Sequence, residues 1–168
     1  MQRNEVFKRK LRLAVFSLAL AVLTSLTLGR LSVEAQNRPE EINFTITIPA
    51  PGGVCAFGVE ISVAGKAKTI HLPGDRFIVT APGQHATLTN LGDPTKQVML
   101  NITGAFHQTT QQDGSVVTVS TGRSLLFDPQ AGFVLAIGNF SFVFDANGNL
   151  IQPLEGQGQL IDACAMIN

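Results

Sequence analysis

Three side chains in this sequence are of types that could together move a proton: His107, Arg123 and Asp128. An imidazole titrates near neutral pH, and a guanidinium and a carboxylate beside it would orient a substrate and set its protonation. If the surrounding strands closed into a barrel with the His107 face inward, the three would meet in a pocket. Small barrels can hold ligands in this way, and the chemistry would be that of an isomerase, cyclase or lyase. The plainer reading has Arg123 and Asp128 at strand ends, bonded to backbone or to each other, and it is preferred here, because a site is marked by perturbed groups in a cleft.

Other chemistry finds fewer residues to carry it. His71, His85 and His107 lack H-x-H or H-E-x-x-H spacing, so no metal site and no cofactor is expected. Asp145-Ala-Asn147-Gly-Asn149 begins like a calcium loop. Such a loop needs Gly at its sixth place and Glu at its twelfth, and these places hold Leu150 and Gly156, so a hairpin turn is expected instead. Ser124 lies in no Gly-x-Ser-x-Gly elbow. Cys55 and Cys164 are the only cysteines, with no C-x-x-C spacing, and in an oxidising compartment they are expected to pair as a disulfide. On the chain-entropy model, closing a loop of about 100 residues stabilises a fold by ~4.7 kcal/mol.

The compartment is read from the first 35 residues. Lys8-Arg9-Lys10-Leu11-Arg12 is followed by an apolar run from Leu13 to Leu28, then by Val33-Glu34-Ala35. This is the pattern of a secretory signal peptide cut after Ala35, and the run is short of the ~20 apolar residues of a membrane span. A secreted or extracytoplasmic protein is expected, with no membrane span once the signal is removed. The formal net charge is zero, but residues 1–35 carry +4 and the remainder −4. A mildly acidic body offers no footprint for nucleic acid.

The elements that would position these residues are strands. Residues 36–41 read as a short polar leader, and residues 42–168 as one all-β domain. Phe44 to Ile48, Cys55 to Val63, Lys66 to Leu72, Arg76 to Thr80, Ala86 to Thr89 and Val98 to Ile102 alternate apolar and polar residues or lie between Pro-Gly turns. Phe106 to Gln112 and Ser115 to Thr121 flank Asp113-Gly114, which predicts a two-residue hairpin turn with Gln108 opposite Val119 and His107 opposite Ser120. Phe133, Leu135 and Ile137, then Phe140, Phe142 and Phe144, read as two strands joined by a tight turn at Gly138-Asn139. Together these predict a single-domain antiparallel meander, either a β-barrel or a β-sandwich.

Leu-Thr-Asn-Leu at 88–91, Leu-Asn-Ile-Thr-Gly-Ala-Phe-His at 100–107, Thr-Gly-Arg-Ser-Leu-Leu-Phe-Asp-Pro at 121–129 and Phe-Asp-Ala-Asn-Gly-Asn-Leu at 144–150 resemble a group of uncharacterised secreted bacterial β-proteins. That resemblance implies export and β-structure and transfers no site. The absence of Trp and Tyr lowers a carbohydrate-binding reading, since those residues usually supply the stacking platforms. A non-enzymatic module that binds a small apolar ligand, a partner or a surface is the expected function. The small barrel enzyme built on His107 is the alternative.

Overall fold

Pro-Gly and Asp/Asn-Gly turns cut the chain into alternating segments, and these segments pair as nine antiparallel strands among the described residues. The computed structural model describes residues 38–50 and 54–168. The expected signal peptide, residues 1–35, and the start of the leader lie outside them. The strands are β1 (Glu40–Ile48), β2 (Val59–Leu72), β3 (Arg76–Thr80), β4 (His85–Asn90), β5 (Gln97–Asn101), β6 (Gly104–Thr110), β7 (Val116–Asp128), β8 (Gly132–Phe144) and β9 (Leu150–Asp162). A short 3-10 turn, Ala165–Ile167, follows.

The strands form one open sheet in the order β5-β4-β2-β3-β6-β7-β8-β9, with β1 added beside β2. The fold is the expected all-β meander, and no barrel closes. Instead the sheet layers onto itself. The first half of β2 joins β1, β4 and β5 in one layer, while its second half joins β3 and then β6 to β9. Alternation gives the first layer one apolar face, made of Val59, Ile61, Val63, Ala86, Leu88 and Leu100. Against it pack Phe133, Leu135 and Ile137 of β8, Leu125 of β7 and Ile161 of β9.

A crease makes this possible. Gly104, Gly122, Gly138 and Gly158 stand side by side on β6, β7, β8 and β9. At Gly138, with φ of 142°, a Cβ would run into the backbone of Gln157 and Gly158; at Gly122, with φ of 86°, it would meet Thr103 and Gly104. Only glycine allows so close an approach in that conformation. In a flat strand, residues four apart stand about 13 Å from each other. Here Ser120 Oγ and Ser124 Oγ, on either side of Gly122, are 2.8 Å apart. The two halves of the outer strands therefore face each other, and Phe133 to Ala136 are buried on both faces.

Two sequence expectations are corrected by this geometry. Gly138-Asn139 is no turn: β8 runs unbroken from Gly132 to Phe144, and Gly138 is its point of bending. The β6–β7 hairpin is also shifted by one residue, with Gln108 opposite Thr118 and His107 opposite Val119. Its loop is a three-residue one. The Gly114 amide donates to the Gln111 carbonyl and the Gln111 amide to the Ser115 carbonyl, with Gly114 at φ 82°. A type I turn closed by one left-handed glycine needs that extra residue. Asp145 to Asn149 forms the same turn, as expected in place of a calcium loop.

Candidate functional site

The residues first considered for chemistry do not assemble. His107 is exposed on β6 opposite Val119, so it shares the β7 face of the odd-numbered residues, which includes the exposed Arg123. Asp128 points from the other face of β7 and is buried at 3 % exposure. Its partners are all backbone. Oδ1 accepts from the amides of Gln130 and Ala131, and Oδ2 from the amide of Leu154 at 2.7 Å. Burial pushes its carboxyl up, but those three amides outweigh burial and hold it below the ordinary aspartate value. This is a structural carboxylate that ties the creased strands together. Of the expectation that Arg123 and Asp128 sit at strand ends and bind backbone or each other, Asp128 meets the first alternative, whereas Arg123 lies in the middle of β7 because the strand runs on past Gly122.

Asp145 is used in the same way at its turn. Its oxygens accept from the amides of Asn147 and Asn149 and from Asn149 Nδ2, and these bonds, led by that of the Asn149 side chain, hold its carboxyl below the ordinary value. Among the described residues no three His, Cys, Asp or Glu side chains are grouped to hold a metal ion. No described helix is long and apolar enough to cross a membrane. Cys55 and Cys164 form a disulfide, with Cα atoms 5.6 Å apart across a sequence separation of 109. It joins the segment entering β2 to the segment leaving β9, so it clamps one layer onto the other. Asn90, buried between the same layers, assists by donating from Nδ2 to the Ile167 carbonyl at 3.0 Å.

The sandwich is not closed everywhere, and Val54, the neighbour of Cys55, lines the opening. Beneath β1, a groove of about 340 Å³ runs out from the crease, where Ala81, Ile102 and Gly104 line it, to the last residues of β7. Ile46, Ile48, Ile61 and Val63 form one wall, and Leu125, Leu126 and Phe133 the other, with Phe44 and Phe127 at the rim. Alternation along β1 and β2 turns these side chains inward and buries Ile61, Val63 and Phe133, but nothing in the described chain covers Phe44, Ile46 and Phe127 fully. Phe44 remains 47 % exposed, Ile46 48 % and Phe127 60 %. Only Gln84 and Ser124 among the lining residues have polar side chains, and the Ser124 hydroxyl is engaged by Ser120. No titratable side chain lines the groove.

Sequence reasoning named none of these residues as a site. The alternation of Phe44, Ile46 and Ile48 marks an apolar face. Whether such a face is covered depends on which distant strand lies opposite, and periodicity does not carry that information. Comparison with protein-family models, with curated proteins and with solved structures finds no match. The class defined by fold and site is therefore a disulfide-clamped, creased antiparallel sheet with an open apolar groove.

Proposed function

We propose that this chain is an exported, non-enzymatic binding domain that takes a small apolar molecule into the groove beneath β1. The groove itself carries the reading. Its volume falls within the range of about 300–1,000 Å³ usual for small-molecule sites, and its walls are apolar. A ligand with a polar reacting centre would find no titratable acid or base here. An apolar one would cover Phe44, Ile46 and Phe127, whose exposure costs the free protein the usual hydrophobic penalty. Two features support export: the basic and apolar stretches of residues 1–35, and a disulfide, which persists in oxidising compartments.

The test is a fluorescence titration with 1-anilinonaphthalene-8-sulfonate. The native chain is expected to bind it saturably, and the double variant Phe44→Ser/Phe127→Ser to bind about ten-fold more weakly, which corresponds to ~1.4 kcal/mol of lost apolar contact. Phe44 is about half exposed and Phe127 more so, so the thermal midpoint should fall only slightly. Equal affinity in the two proteins would exclude the groove as the site.

A further inference from the structure

Among the described residues, the free edges of this sheet are not equally protected. An unpaired strand edge presents bare amides and carbonyls that can template another strand, and natural sheets block this with charge, proline, bulges or short length. The β9 edge carries Pro153 and Glu155, and its pairing with β8 is broken by two register shifts. β5 is only five residues long and lies against the 3-10 turn. The free part of β7 begins with the exposed Arg123. β1 has only one of these devices, charge at one end. Its nine residues pair with β2 in unbroken register, it contains no proline or lysine, and its only charges are Glu40 and Glu41 at one end.

We propose that β1 is a self-association edge, which pairs antiparallel with β1 of a second copy of this chain about a two-fold axis at Phe44. The sequence of β1 is complementary to itself in this arrangement. Phe44 meets Phe44 of the other copy, Ile42 meets Ile46, and Asn43 meets Thr45, so apolar residues of both strands share one face and polar residues the other. The charges also fit: Glu40 falls opposite Ile48 and Glu41 opposite Thr47, so no like charges meet. A contact of this kind is isologous and closes as a dimer. It sets the exposed Phe44 and Ile46 of the two copies beside each other and joins two four-stranded layers edge to edge. The association does not depend on a ligand in the groove.

Sedimentation velocity over a range of protein concentrations tests this, with the disulfide kept oxidised. The native chain should show a concentration-dependent shift to twice its monomer mass. Asn43→Lys/Thr45→Lys puts like charges opposite each other on the solvent face, away from the groove, and should abolish the doubled mass while the circular-dichroism spectrum is retained. Asn43→Glu/Thr45→Glu should do the same alone, and an equal mixture of the two variants should restore the dimer. A native chain that stays monomeric at every concentration overturns the proposal, as does a doubled mass that persists in both variants. Finding the β1 edge paired instead with a foreign peptide on a monomeric chain overturns it too.

Discussion

Asp128 shows how one side chain fixes a shape. Its carboxylate receives the Leu154 amide across the crease and the Gln130 and Ala131 amides of its own turn, so it bonds two segments 26 residues apart. In Asp128→Asn, the amide oxygen still serves the turn, but an NH₂ group faces the Leu154 amide. The buried donor loses its acceptor, and we expect about 2 kcal/mol of lost stability near neutral pH, measured by urea unfolding. The pH dependence has a definite sign. The folded-state pKa of Asp128 is depressed, so its contribution is fully present above the unfolded-state value and is lost as pH falls through the lower, folded-state value. The gap between native protein and variant should therefore close in acid. A gap that is constant with pH would mean that the charge of Asp128 does not stabilise the fold.

The long strands β7, β8 and β9 depend on their glycines. Gly138→Ala would place a Cβ against the backbone of Gln157 at a positive φ, so we expect a loss of at least about 2 kcal/mol, or failure to fold, as judged by the denaturant midpoint. A midpoint unchanged within error would argue against the crease. This element also shows what the sequence could and could not tell. The inward faces of Val59, Ile61 and Val63, and of Leu100 and Ile102, were legible because one layer covers each of them and period two survives. From Phe133 to Ala136 both faces are buried, so the alternation disappears, and the parity change from Phe133, Leu135 and Ile137 to Phe140, Phe142 and Phe144 resembled two strands joined at a turn. The Gly138-Asn139 pair reinforced that reading, since a glycine that bends a strand and one that reverses it look alike in sequence. The one-residue slip of the β6–β7 hairpin has a similar origin. Asp-Gly is compatible with both two- and three-residue loops, and the choice fixes every cross-strand pair.

At the level of the molecule, the sandwich is locked at its disulfide and left open beneath β1. The Cys55–Cys164 disulfide and the Asn90–Ile167 bond hold the layers at the side of β9, whereas beneath β1 the apolar walls stand apart. Reduction, or the paired change Cys55→Ser/Cys164→Ser, removes a cross-link that spans most of the folded chain. The expected loss is about 4 kcal/mol and a clearly lower thermal midpoint by calorimetry, whereas an unchanged midpoint would mean that the layers hold without the clamp. The positions of the two cysteines near the ends of the β-domain were visible in the sequence, and so was their pairing. The groove was not, because it arises from what the fold leaves uncovered. The account rests on that groove being where a ligand binds. The most direct test is a methyl-resolved NMR titration with 1-anilinonaphthalene-8-sulfonate. Shifts concentrated on Ile46, Ile61, Val63 and Leu125 are predicted, and shifts confined to the outer faces of the sheet, or none at all, would contradict it.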